Sequence, residues 1–244
     1  MGISERQNEI LKIIGENTYV SVNELSERTF TSPSSIRRDL TRLENLGLVN
    51  RSYGGASLPE ISGRVAGFYN RTTKSIKEKR LIAQKAASLL KSGQSILLDS
   101  SSTASFMLPY IAKLDSAVIF TNNLETAVGA IKQGICTHCI GGASINGSVS
   151  LGGSQTYRAL SNISVDIMFF SSQSLSIDGM ITDSTEEESY VRSVMLKRAE
   201  KTVFLCDSTK FNAKSLYTLT SLDCIDYAVF DKSFDGLVSE ATLL

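Results

Sequence analysis

Between residues 95 and 231, six strand-length apolar runs alternate with helix-like stretches, and few architectures accommodate that order. The runs are "SILLD", "AVIFT", "CTHCIGG", "VDIMFF", "TVFLCD" and "DYAVFD", separated by segments such as "STASFMLPYIAKL" and "NLETAVGAIK". Such alternation predicts a mainly parallel sheet covered by helices on both faces, a Rossmann-like α/β domain. A further helix is expected over about 77–91, ahead of the first strand.

In such a sheet, ligands bind outside the carboxyl ends of the strands. The first run ends in Asp99, Ser100, Ser101, Ser102 and Thr103, the second in Thr121, Asn122 and Asn123. The third ends in Gly141 and Gly142, and "FLCD" ends in Asp207 with Lys210 close behind. Hydroxyls, amides, glycines, a carboxylate and a lysine on a single rim suit a polyol carrying an anion. Ser101 to Thr103 are also expected to open a helix, whose free N–H groups and dipole favour phosphate. The rival use of these residues is chemistry, with Asp99 activating a serine. A serine nucleophile needs a base turned towards it. Yet the only histidine, His138, sits within a strand, and no "GxSxG" surrounds these serines. Cradling an anionic ligand is the expected role.

Residues 1–57 follow another pattern, three short helices with capping signals. Ser4 with Gln7 and Ser21 with Glu24 form candidate capping boxes. Ser32 followed by Pro33 opens a third helix, "PSSIRRDLTRLENLG", closed by Gly47. At 100° per residue, Ile36, Leu40 and Leu43 make one narrow apolar stripe. Ser34, Arg37, Arg38, Thr41 and Arg42 fall on the opposite side. Arginines read guanine edges in a major groove and hydroxyls reach phosphates. A short strand with Arg51 then runs into a Tyr53-Gly54-Gly55 turn, the wing of a winged helix-turn-helix, which lies against the DNA backbone or minor groove.

Net charge is zero, but it is unevenly spread. Residues 28–57 hold five arginines against Asp39 and Glu44, and residues 71–91 hold seven basic residues against Glu78. A local excess of this kind is what a DNA contact requires. No apolar run approaches the ~18 residues of a membrane helix, and "MGISERQNEI" carries no secretory signal. Cys136, Cys139 and His138 in "CTHC" invite a metal reading, but residues three apart on a strand face opposite ways. They are expected to be core cysteines in a reducing cytosol, with no metal and no cofactor bound.

The stretch "SERQNEILKIIGENTYVSVNELSERTFTSPSSIRRDLTRLENLGLVNRSYGGA" resembles the N-terminal domain of the deoxyribonucleoside-repressor (DeoR) family of bacterial transcription regulators. Arg6 before "EIL", "SIRRDL", "LENLG" and "YGGA" carry the likeness, with Ser35 where the family usually has threonine. The later stretches "EKRLIAQKAASLLKSGQSILLDSSSTA", "TNNLE", "IGGAS" and "DSTKF" resemble the family's sensor domain, related to ribose-5-phosphate isomerase. The resemblance implies an effector pocket lined by Asp99, Ser100, Ser102, Thr103, Asn122, Asn123, Gly141, Gly142, Asp207 and Lys210. Ser101 replaces the family's usual glycine there.

Together these readings predict a winged helix-turn-helix over 1–57, a linker over 58–76 and an α/β sensor over 77–244. The expected protein is a cytoplasmic transcriptional regulator, a repressor by resemblance, acting on a carbohydrate-metabolism operon. Its partners would be double-stranded operator DNA, a sugar-phosphate effector and further copies of itself, as dimer or tetramer. The alternative is a sugar-phosphate isomerase fused to a DNA-binding domain, with Asp207 as base and Lys210 as electrophile. The acidic start of "DSTEEESYVRSVMLKRAEK" reads as helix-dipole chemistry, with Thr185 and Glu188 as a capping box.

Overall fold

The computed structural model describes residues 4–17, 19–45, 48–52, 54–57, 63–237 and 239–244. Gly47 and Tyr53 therefore lie outside the described residues. The chain divides into two compact units, residues 1–66 and 67–244.

In the first unit the order is α1 (Glu5–Gly15), β1 (Val20–Ser21), α2 (Val22–Arg28), α3 (Pro33–Asn45), β2 (Asn50–Ser52) and β3 (Gly55–Ser57). Ser4 and Gln7 complete their box: the Gln7 amide donates to Ser4 Oγ at 3.3 Å and the Ser4 amide to Gln7 Oε1 at 3.1 Å. Ser21 accepts from the Glu24 amide at 3.1 Å, and Ser32 Oγ from the Ser35 amide at 3.4 Å. Three helices this short are marginal alone. They close around Ile10, Ile14, Leu25, Ile36, Leu40 and Leu43, all buried. The β2–β3 hairpin pairs Asn50 with Ser57 and Arg51 with Ala56, while β1 pairs with the other edge of β3. Gly55 is required there, because a Cβ would sit 2.3 Å from the Val20 carbonyl oxygen.

A helix, α4 (Gly63–Thr73), occupies most of the segment expected to be a linker. Glycine lowers helix propensity by only ~1 kcal/mol, and burial of Phe68 supplies an anchor that the absence of periodicity hid. There follow α5 (Ile76–Ala86), β4 (Ser95–Leu98), α6 (Leu108–Ile111), β5 (Val118–Thr121), α7 (Leu124–Lys132) and β6 (Cys136–Cys139). Next come β7 (Ala143–Ser144), β8 (Leu151–Gly152), α8 (Ser154–Ser161), β9 (Val165–Phe170), β10 (Ser174–Leu175), β11 (Met180–Asp183) and α9 (Glu186–Leu196). The chain ends with β12 (Ala199–Cys206), β13 (Tyr217–Ser221), β14 (Tyr227–Phe230) and β15 (Thr242–Leu243).

All six apolar runs form strands of one parallel seven-stranded sheet, in the order β15-β14-β12-β9-β4-β5-β6. Alternate residues enter two cores. Ile96, Leu98, Ile167, Phe169, Val203 and Leu205 pack on one face, and Leu97, Met168, Phe170, Phe204 and Cys206 on the other. Burial on both faces is why these strands read as unbroken apolar runs. From β4 the chain moves outward to β5 and β6, then returns to place β9 on the other side of β4. The crevice between β4 and β9 is thus the point where strand order reverses, the usual ligand position in such sheets.

Three expectations are corrected. The stretch after β4 is not one helix but a 3-10 turn (Ala104–Met107) followed by the single turn of α6, so no long helix dipole points at Ser101–Thr103. Cys136 and Cys139 are exposed rather than in the core, because β6 is an edge strand; Cys224, in a turn before β14, is exposed as well, and Cys206 is buried. The Thr185 hydroxyl caps nothing; it is buried without a hydrogen-bond partner.

Candidate functional site

The loops that follow β4, β9 and β12, three adjacent strands, converge on a cleft of about 320 Å³. Ser100, Ser101, Ser102 and Thr103 come from the first loop, Ser171, Ser172 and Gln173 from the second, and Asp207, Thr209 and Lys210 from the third. Arg71, Lys74, Ser75 and Lys79 close one side, and Asp183, Ser184, Glu188 and Arg192 another. Five basic side chains thus face three acids among a group of hydroxyls. Thr103 Oγ1 is buried in this wall with no hydrogen-bond partner. A buried polar atom left unpaired costs about 1–3 kcal/mol unless a ligand or water satisfies it.

The Asp99 carboxylate does not line the cleft. It is 1% exposed. Its Oδ1 accepts from the Ser101 amide at 3.1 Å and the Ser101 hydroxyl at 2.5 Å. Its Oδ2 accepts from the Ser171 amide at 3.3 Å and Arg192 Nε at 2.8 Å. Asp99 thereby ties the β4 loop to the β9 loop and orients Arg192, whose Nη1 also bonds Asp183 Oδ2. Burial works against the Arg192 charge, but Asp183, Asp99 and Glu188 outweigh it and hold the guanidinium protonated beyond its usual range. Ser101 Oγ, donating to Asp99 and accepting from the Ala104 amide at 3.1 Å, closes a local turn.

Four other expected residues also lie off the cleft wall. Asn122 and Asn123 follow β5, and Gly141 and Gly142 follow β6, on the far side of β4 from β9 and β12. Their contacts in this structure are with the protein itself. Asn123 Oδ1 accepts from the Thr126 amide at 2.9 Å to cap α7, and its Nδ2 donates to the Ser100 carbonyl at 3.1 Å. Asn122 Nδ2 donates to the Leu151 carbonyl at 2.8 Å. The Gly141 carbonyl accepts from Thr156 Oγ1 at 2.7 Å, and Gly142, at φ +148°, has no room for a Cβ beside Thr156 and Gly152.

Lys210 Nζ donates to Ser171 Oγ at 2.8 Å and lies 3.6 Å from Asp207 Oδ2, while the Thr209 hydroxyl donates to Asp207 Oδ1. The proposed base and electrophile of the isomerase alternative are thus engaged with protein partners. Among the described residues, no group of three or more His, Cys, Asp or Glu is disposed to hold a metal ion.

Among the cleft residues that the sequence reading did not single out are two buried cations. Lys79 is 4% exposed, and Arg192 is 5% exposed on the helix read as simple dipole chemistry. Spacing carried a signal for both. Lys79 stands three residues before Ile82 and seven before Ala86 on the buried stripe of α5. Arg192 adjoins Val191 and precedes Met195 by three on the buried face of α9. A charge on an apolar stripe needs a partner or a ligand.

In the first unit, Arg37, Arg38, Thr41, Arg42 and Ser34 are exposed on α3, and Ser35 is half-buried beside the Ser32 hydroxyl at 3.1 Å. Arg51 reaches back from the wing. Its Nη1 donates to Thr41 Oγ1 at 2.7 Å and lies 3.6 Å from Glu44 Oε2. Gly54 sits in the hairpin turn at φ +82°. Asp39, read only as an opposing charge, is buried. It accepts from Arg6 Nε at 2.6 Å and Gln7 Nε2 at 3.0 Å, joining α3 to α1. Although burial opposes ionisation, these bonds, with Arg6 and Arg38 as nearby charges, hold the Asp39 carboxyl below its usual range.

Among the described residues, no helix is long and apolar enough to cross a membrane. Residues 6–62 match the family model for the DeoR-like helix-turn-helix domain, and residues 74–232 match that for the DeoR C-terminal sensor domain. The HTH-type transcriptional regulator GolR of Listeria innocua is 32% identical over 95% of this chain and 91% of its own. The glycerol-3-phosphate regulon repressor of Haemophilus influenzae is 26% identical over 97% and 92%. A solved ribose 5-phosphate isomerase from Plasmodium falciparum aligns with a TM-score of 0.40 at 16% identity, over 55% of this chain and 52% of that one. The relatives are regulators rather than enzymes, and with both domains matched in order the chain belongs to the DeoR family of DNA-binding transcriptional regulators.

Proposed function

We propose that this regulator acts in the cytoplasm as a repressor of a carbohydrate-metabolism operon, and that a phosphorylated sugar or related metabolite in the cleft modulates its hold on DNA. The observation that carries this reading is the composition of the cleft wall. Lys79, Lys210, Arg71 and Lys74 surround the Ser100–Thr103 rim, and the Thr103 hydroxyl lacks a partner. Cations suit a phosphate and hydroxyls suit a polyol. The name of one relative, a glycerol-3-phosphate regulon repressor, points to the same class of metabolism.

For DNA, we assign the major-groove contacts to Ser34, Ser35, Arg37, Arg38, Thr41 and Arg42 on α3. The wing contacts fall to Arg51, Tyr53, Gly54 and Gly55. A helix this short reads few base pairs, so a homo-oligomer presenting at least two such helices is part of the proposal. The cleft residues assigned to the effector are Ser100, Ser102, Thr103, Lys79, Asp207 and Lys210. The test is a thermal-shift panel of phosphorylated sugars, sugar alcohols and their unphosphorylated parents. A ligand at 100 times its dissociation constant adds about 2.7 kcal/mol of stability. A response to phosphorylated members alone, much reduced in Lys210→Ala, supports the assignment. A flat panel rejects it.

A further inference from the structure

We propose that Lys79 reports occupancy of the cleft to the C-terminal end of α4, the helix through which the chain passes from residues 1–66 into residues 67–244. The proposal rests on the cleft being an anion site and names how that site would be read out.

The geometry is a three-point bridge. Lys79 Nζ donates to the carbonyl of Arg71, in the last turn of α4, to the carbonyl of Lys74 at 2.9 Å, and to Ser102 Oγ at 3.2 Å. An ammonium has three N–H groups, and all three are used. Two satisfy carbonyls at the end of α4, where a helix leaves its last acceptors without intrahelical partners. The third reaches the rim of the cleft. Between the two carbonyls and α5 lies Ser75, held at φ 51° and ψ 41°. This left-handed conformation is unfavourable for a residue other than glycine. The turn that joins α4 to α5 is therefore strained and clamped by one buried cation.

The side chains of Arg71, Lys74 and Ser75 line the same cleft. The segment 71–75 thus meets the site through its side chains and through the Lys79 clamp on its backbone. An anion seated against Ser102 and Thr103 enters the reach of the ammonium that holds this turn. A phosphate oxygen brings a full opposite charge that neither carbonyl carries, and so competes with them for the ammonium. The anion draws Lys79 towards the rim, and the carbonyls of Arg71 and Lys74 lose their donor. The end of α4 loosens when the cleft fills. Burial, reinforced by Lys210 and Arg71 and opposed by Asp207 and Glu78, makes the Lys79 charge sensitive to a newly arrived anion.

Hydrogen exchange on the full chain tests this, with inorganic phosphate against chloride at matched ionic strength. Thermal shift in the same solutions records whether phosphate binds. The expected result is exchange over residues 70–77 about three- to tenfold faster with phosphate, the scale of a lost cation at a helix C-terminus. Lys79→Met is expected to show the faster exchange without phosphate and no further response to it. Lys79→Gln serves the same comparison should the methionine variant not fold. Phosphate binding with unchanged or slower exchange over 70–77 in the natural protein overturns the relay and leaves the anion site standing. Absence of any phosphate binding overturns both. A full phosphate response in either Lys79 variant assigns the coupling elsewhere and rejects this one.

Discussion

Arg192 Nε lies 2.8 Å from Asp99 Oδ2, with both side chains out of solvent, and the same guanidinium bonds Asp183. One cation from α9 therefore neutralises two carboxylates, one on the loop after β4 and one at the end of β11. Removing it leaves two buried carboxylates facing each other. Breaking a buried pair typically costs about 3–5 kcal/mol. Arg192→Met is expected to lower the stability of residues 67–244 by that amount, read by urea unfolding followed in the sensor unit. Arg192→Lys, a point charge without the planar fork, is expected to recover only part of it. A loss under ~1 kcal/mol in the methionine variant contradicts the triad's role.

On α3 the arginines divide the labour with Asp39. Arg38 is exposed and Asp39 is bonded to α1. Arg38→Ala is expected to remove specific operator binding with stability unchanged within about 0.5 kcal/mol. Each lost bidentate base contact removes about 1–3 kcal/mol of discrimination. A gel-shift titration with unaltered affinity places Arg38 outside the interface.

Asp39→Ala is expected to act the opposite way, lowering the stability of the helix-turn-helix unit by about 1–3 kcal/mol as Arg6 and Gln7 lose their acceptor. The pH dependence follows from the lowered Asp39 value. Its stabilising contribution is complete above the unfolded value of about 3.9 and is lost as pH falls through the lower folded value. Acid unfolding of the natural protein should show this loss. In Asp39→Ala, stability should change less over the same acid range.

Lys79 sets a second pH window. Burial, then Lys210 and Arg71, bring its ammonium down to about 8, with Asp207 and Glu78 opposing. With its second pKa near 6, a sugar phosphate is close to dianionic above about pH 7, so its own titration intrudes little there. Affinity for a phosphorylated ligand is expected to fall as pH rises through about 8. The bound anion restores the ammonium, so binding above that pH takes up protons. Calorimetry in buffers of different ionisation enthalpy measures the uptake. Lys79→Met should bind with no such uptake between about pH 7 and 9; equal uptake in the variant assigns the titration to another group.

The architecture was legible because its signals are local. Apolar runs such as "SILLD" and "VDIMFF" announce strands wherever they end up in the sheet, and the "SIRRDL" helix announces its buried stripe at Ile36, Leu40 and Leu43. The cleft was half legible because membership depends on strand order. Asn122, Asn123, Gly141 and Gly142 end their strands as polar residues do at a ligand rim, but β5 and β6 lie beyond β4, away from β9 and β12. Nothing within a loop states which strand will be its neighbour. Cys136 and Cys139 misled for the same reason, since an apolar strand at a sheet edge exposes residues that a central strand buries. Lys79 and Arg192 could have been found, each being a charge on an otherwise apolar helical stripe.

The most direct measurement is titration of the full chain onto double-stranded DNA from its own promoter region, with and without members of the phosphorylated-sugar panel. The account predicts specific binding that weakens steeply with salt, and a change of affinity of about 5- to 150-fold, equivalent to about 1–3 kcal/mol, when the right phosphorylated ligand is present. Binding no tighter than to random duplex at low ionic strength, or operator affinity indifferent to every ligand that stabilises the protein, would contradict it.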